Sequence, residues 1–173
     1  MHHHEEAQGR VCSCGTSTET PAVGLRVLCA IDGSEGSVRA FLFALERVVV
    51  PERNDILVLF EAARPLNPEI LADMTKRQSD FVQELEELNC GAELRVMSDQ
   101  ADARGVHTES VVLLGDPREL IPEYVAKHPV DLLVVGSRGL STTRRLFLGS
   151  VSSYLVDHSP VPVMVVRAQA DGE

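Results

Sequence analysis

Residues 130–167 read "VDLLVVGSRGLSTTRRLFLGSVSSYLVDHSPVPVMVVR", and this stretch decides the fold. It opens on an apolar run rich in Val and Leu, 130–136, of the kind that forms a strand buried on both faces. A long polar loop follows. A helix is expected from about Gly149 to His158, and then a second apolar strand over 161–167, behind Pro160 and Pro162. Strand, loop, helix, strand is one right-handed crossover unit of a parallel sheet.

The same alternation runs through the body of the chain. "LRVLCAID", 25–32, is an apolar run that reads as a first buried strand. Val38, Phe41, Leu42, Leu45 and Val48 recur at helical spacing, which predicts a helix from about Gly36 to Val49, stopped by Pro51. A second strand is expected over 55–61. A helix is expected over 69–89, with an apolar stripe from Leu71 to Leu88, and a further helical piece over 93–104. "VHTESVVLLG", 106–115, reads as a third strand. In "DPRELIPEYVAKH" Asp116 is placed as an N-cap and Pro117 as the first helical residue. Pro122, a few residues in, predicts a short or distorted first turn. Five strands alternating with helices give a three-layer α/β/α sandwich around a parallel sheet.

Composition narrows the function classes. At 173 residues the chain fits one domain, over 25–168, with tails at 1–24 and 169–173. The formal charge of −10 opposes general nucleic-acid binding. No apolar run approaches the ~20 residues that span a bilayer. The N-terminus lacks a signal-type apolar stretch, so a cytoplasmic, reducing location is expected. Cys29 and Cys90 read as small buried hydrophobes. Cys12 and Cys14 lie with His2, His3 and His4 in a polar tail; Cys-x-Cys lacks the paired spacing of a structural zinc site, and a flexible tail is expected.

Ligands of parallel sheets bind at the carboxyl ends of the strands, where the strand order reverses. Two loops there carry suggestive residues. Residues 132–156 hold Arg138, Arg144 and Arg145 and no acid, a local charge of +3 in a chain of −10. Gly136 and Gly139 allow a sharp turn and close approach to a ligand, and Gly149 and Ser150 open a helix whose free amides suit an anion. Ser150 and Ser152 add hydroxyl donors. Spacing alone leaves anion binding and plain turn punctuation evenly matched. Neither the P-loop nor the Gly-x-Gly-x2-Gly pattern is present. The other loop is "DGSEGS". Asp32 stands just past the first strand, placed to bond ribose hydroxyls or a phosphate-bound divalent ion, or else to form an Asx-turn. Ser34 can cap the next helix.

These segments together resemble the universal stress protein family, over about residues 26–167. Gly136, Gly139, Gly149 and Ser150 meet the Gly-x2-Gly-x9-Gly-Ser/Thr spacing of its ATP-binding branch. The "GDP" at 115–117 and the "SPVPVMVV" ending agree. The resemblance implies strand order 3-2-1-4-5, the adenine nucleotide α-hydrolase-like arrangement. It implies ATP or AMP in the cleft between strands one and four, with magnesium on the phosphates. Asp32 would hold ribose or the metal-bridged phosphates. Arg138 and Gly139 would lie in the loop wrapping ribose and phosphates, with Ser150 and Ser152 donating to phosphate oxygens. Ala30, Val135 and Val151 complete the implied contacts, and the main chain near Val58 would meet adenine. The resemblance also implies a homodimer through the last strand, 161–167.

A sensor or regulator is the expected role, with no catalytic residue assigned. His107, His128 and His158 fall at element ends and read as caps or surface groups. A weak magnesium-dependent ATPase and a ligand-independent dimeric adaptor are the alternatives; the intact glycine spacing opposes the adaptor. An adenylate-forming enzyme would need a Ser-Gly-Gly-x-Asp-Ser loop or a His-Ile-Gly-His signature, and neither occurs. The low aromatic content disfavours a flavin carrier.

Overall fold

The apolar runs become strands because each is buried on both faces. In a computed structural model, residues 24–63, 91–137 and 148–167 are described. The strands are β1 (Arg26–Ile31), β2 (Ile56–Ala63), β3 (His107–Leu114), β4 (Leu132–Gly136) and β5 (Val163–Val166). They form one parallel sheet in the order β3-β2-β1-β4-β5. The sheet is the one the resemblance implies.

The helices are α1 (Glu35–Arg47), α2 (helical over 91–102), α3 (Pro117–Lys127) and α4 (Ser150–His158). Alternate strand residues separate two cores. Val27, Cys29, Ile31, Leu57, Leu59 and Val134 pack with α1 and with Leu94, Met97 and Ala101 of α2. Leu28, Val58, Phe60, Leu133 and Val135 pack on the other face with Ile121 and Val125 of α3 and Leu155 of α4. Burial pushes the Cys29 thiol up to about 12, so it serves as a small hydrophobe.

The elements expected within the described residues are present, with ends that differ by a few residues. The last strand covers Val163–Val166 rather than 161–167, and the fourth begins at Leu132 rather than at 130. Prolines without an N–H precede the pairing region of β5. The helical piece expected over 93–104 covers 91–102 and stops in a Schellman motif. Val106 N donates to Ala101 O, Gly105 N donates to Asp102 O, and Gly105 takes φ +74°. Contrary to the expected distortion, α3 runs through Pro122 without interruption, although a proline past the first turn gives up the N–H that would bond the carbonyl of Arg118. The helix expected over 69–89, Cys90, Arg138, Gly139 and both tails lie outside the described residues.

The end of the sheet away from the strand C-termini is closed by ion pairs. Asp55, 2% exposed, accepts from Leu25 N and Val50 N and from the Arg53 guanidinium. Burial alone would raise its pKa; the Arg53 side chain and the two main-chain donors outweigh it, and the net direction is down. Arg26 reaches across β2 to hold Glu109 through both guanidinium nitrogens, at 2.9 and 2.6 Å.

Candidate functional site

The chain moves from β1 outward to β2 and β3, then returns to start β4 on the other side of β1. The strand order therefore reverses between β1 and β4, and the loops leaving their C-terminal ends face one another.

The β1 loop is organised around Asp32. Its Oδ1 accepts from Ser34 N at 3.1 Å and from Ser34 Oγ at 2.5 Å, an Asx-turn. Gly33 takes φ +72°, which favours glycine. Ser34 Oγ in turn accepts from Ser37 N and caps α1. The two sequence readings of Asp32 thus coexist: it makes the turn, and its carboxylate is exposed at the strand end.

The β4 loop is anchored at its root. Ser137 N donates to Val166 O, and Gly149 N donates to Ser137 O, each at 2.8 Å. Ser152 Oγ, buried, donates to Gly136 O at 2.7 Å. That bond commits the Ser152 proton to the protein, whereas Ser150 is exposed at the start of α4. Gly149 is the N-cap of α4 and supplies no side-chain bond, and the first amide bond inside the helix runs from Ser153 N to Gly149 O. The amides of Ser150, Val151 and Ser152 precede it and are the ones the helix leaves open.

Gly136 has a different role from the one its position suggests. It is the last residue of β4, not the turn. A β-carbon there would stand 2.6 Å from the carbonyl carbon and oxygen of Gly36. The absence of a side chain lets the end of β4 touch the first turn of α1. Gly36 and Ser137 were not legible as site residues; the Ser34-x2-Ser37 capping spacing was the available signal for the first turn of α1.

Ala30 and Val135 lie at the strand ends as expected, Val135 buried and Ala30 half-buried. Val58 sits lower. It pairs with Leu28 and is fully buried in the sheet. Ile56 N donates to Leu25 O, so even-numbered residues of β2 turn their main chain toward β1. The groups of Val58 are spent inside that ladder. β1 stops at Ile31, opposite Glu61, and β2 outruns it at Ala62 and Ala63.

His128 and His158 end their helices as expected, each ring Nδ1 hydrogen-bonded to a carbonyl one turn back, of Tyr124 and Tyr154. Both lie at the helix C-termini, away from the cleft. Among the described residues no group of three or more His, Cys, Asp or Glu is placed to hold a metal ion, and no helix is long and apolar enough to cross a membrane.

A doubly wound α/β protein with an aspartate at the end of β1 and a glycine-spaced, acid-free sequence between β4 and the uncapped start of α4 is the class that these features define. The model described as "Universal stress protein family" matches residues 25–167, and the chain belongs to that family. It is 30% identical over 139 residues to a universal stress protein A-like protein of Arabidopsis thaliana, covering 77% of this chain and 79% of that protein. A solved universal stress protein family protein from Arabidopsis thaliana, with AMP bound, superposes with TM-score 0.63 at 28% identity, covering 85% of this chain and 94% of that one. A universal stress protein in complex with cAMP superposes with TM-score 0.57 at 29% identity, covering 83% and 97%.

Proposed function

We propose that this chain binds an adenine nucleotide across the ends of β1 and β4 and works as a nucleotide-responsive regulator. The observation that carries the reading is the start of α4. Its first amides lack a side-chain cap and sit at the end of a loop with the full Gly136, Gly139, Gly149, Ser150 spacing. Free amides and the positive end of a helix favour phosphate. Related proteins were solved with AMP and with cAMP.

In this reading the phosphates lie on the amides of Ser150, Val151 and Ser152, with Arg138 and Gly139 of the loop around them. Asp32 accepts from ribose. Adenine meets the main chain of β2 where it outruns β1, at Ala62, rather than at Val58. A triphosphate would bring magnesium on its own oxygens, with Asp32 as the protein's contribution. The test begins with denaturing the purified protein and identifying released nucleotide by mass spectrometry. Calorimetry then compares the parent with Gly139→Val and Asp32→Ala. Loss of binding in Gly139→Val is expected, because the side chain takes the space of the phosphates. Unchanged affinity in both variants would overturn the site.

The same reading includes a homodimer through β5. Pro162 O and Val166 O accept from Leu133 N and Ser137 N of β4. Val163 and Val165 therefore turn their main-chain groups to the open edge, where a two-fold mate can pair with them. Val165→Pro removes one edge N–H and spares the β4 ladder. Sedimentation should find a dimer for the parent and a folded monomer for the variant; a dimer in both would remove β5 as the interface.

A further inference from the structure

The β1 loop is approached by a side chain that the glycine motif does not include. A β-carbon on Gly33 would stand 3.2 Å from Glu93 Oε2, and the three nearest atoms to that point all belong to the Glu93 carboxyl group. Glu93 comes from the first described turn of α2 and is half-buried. It forms no hydrogen bond or ion pair with any described residue. The acids at the opposite end of the sheet behave otherwise: Asp55 is held by Arg53, and Glu109 by Arg26. Two carboxylates thus stand by Gly33, Asp32 next to it in the chain after β1 and Glu93 brought against it by α2, at the strand end where the order reverses toward β4 and α4.

We infer that Glu93 is a specificity-determining residue that selects nucleotides with both ribose hydroxyls free. This inference rests on the nucleotide reading above. Carboxylates only accept hydrogen bonds, and a ribose with free 2′ and 3′ hydroxyls offers two donors side by side. The acceptors number two when Glu93 joins Asp32. A 3′,5′-cyclic phosphate turns the 3′ hydroxyl into an ester oxygen with no proton and sets the charged phosphate beside it, so it meets a carboxylate with repulsion instead of a bond. AMP and ATP keep both hydroxyls and carry their phosphate at the 5′ end, toward α4. Glu93 discriminates between these ligands without touching phosphate, and the glycine motif alone does not.

Titration calorimetry of AMP, 3′,5′-cyclic AMP and 3′-deoxy-AMP against the full chain and against Glu93→Gln tests this. The parent should bind AMP at least about tenfold tighter than either analogue, the size expected of a hydrogen bond to a charged acceptor. Glu93→Gln, whose amide both donates and accepts, should recover cyclic AMP binding and bring the AMP to cyclic AMP ratio to within about threefold, with the larger part of the change on the cyclic ligand. Circular dichroism melting of Glu93→Gln should match the parent. A ratio that Glu93→Gln leaves unchanged, with AMP still bound, overturns the role of Glu93 and leaves the nucleotide site standing. If neither protein binds any adenine nucleotide, the nucleotide reading fails and this inference falls with it.

Discussion

Two helix N-termini near the strand C-terminal ends are closed by their own sequence and a third is not. Ser34 caps α1 by accepting from Ser37 N at 3.1 Å, and Asp116 caps α3 by accepting from Arg118 N at 2.9 Å. Gly149 begins α4 with no side-chain bond. The three helices share a fold and a direction, so the difference is not one of architecture. A cap of Ser or Asp is worth about 1 kcal/mol over an uncapping residue, and glycine forgoes the side-chain bond. The helix that forgoes it is also the one reached through an acid-free loop. What the contrast teaches is that, of these three helix starts, only that of α4 leaves its first amides without a side-chain partner, which is the place the proposed nucleotide phosphate would take.

The contrast can be broken from either side. Gly136→Ala should have the largest effect. Its β-carbon would press on the main chain of Gly36, which cannot rotate away, and a loss of about 3 kcal/mol in urea unfolding is expected. A loss under about 1 kcal/mol would mean that β4 and α1 can part without penalty. Next comes Gly149→Asp, which gives α4 the cap that α3 already has. A fixed carboxylate then competes for the same amides, and nucleotide affinity measured by calorimetry should fall at least about tenfold while the fold holds. Retained affinity would show that the amides at 150–152 are not the anion site.

Asp116→Ala is the mirror experiment. It uncaps α3 and should cost about 1 kcal/mol of stability, with nucleotide affinity unchanged, because α3 begins beyond β3 at the sheet's edge. Weakened nucleotide binding in this variant would blur the distinction between the two helix starts. The smallest effect is a pH dependence. The Arg118 side chain, with its backbone N–H, holds Asp116 down to about 2. A carboxylate with a depressed folded-state pKa stabilises fully above its ordinary range near 4 and loses that contribution as pH falls toward about 2. The parent should therefore lose slightly more stability than Asp116→Ala between those values, and parallel melting curves across that window would argue against the ion pair.

Much of the fold was legible because buried parallel strands write themselves as unbroken apolar runs. "LRVLCAID" and "VDLLVVG" needed no other signal. Helix starts were legible where a side chain makes the cap, as at Ser34 and Asp116. Exact ends were not, because pairing stops when the neighbouring strand stops, and that is information held in another segment. Gly105 could have closed α2 from sequence alone, since a glycine after a helical stretch that ends in "DAR" is the usual Schellman signal. The site was legible as spacing and illegible as contact. Nothing local in "VVGSRG" says that Gly136 is small on account of Gly36, a hundred positions earlier. Nothing near Gly33 announces Glu93. How far β2 runs on past β1 is set by the register between the two strands, which no single segment carries.

Ser137 has a consequence for how this molecule can vary. Its carbonyl receives the Gly149 amide while its own amide is tied to Val166. The chain therefore leaves at Ser137 and returns at Gly149, two residues joined by one hydrogen bond that acts as a clasp at the foot of α4. A segment fastened in this way can gain residues at a cost that grows only with the logarithm of its length, about 0.6 kcal/mol for each doubling. Insertions between Ser137 and Gly149 are therefore expected to leave α4 in place, provided the clasp itself is untouched.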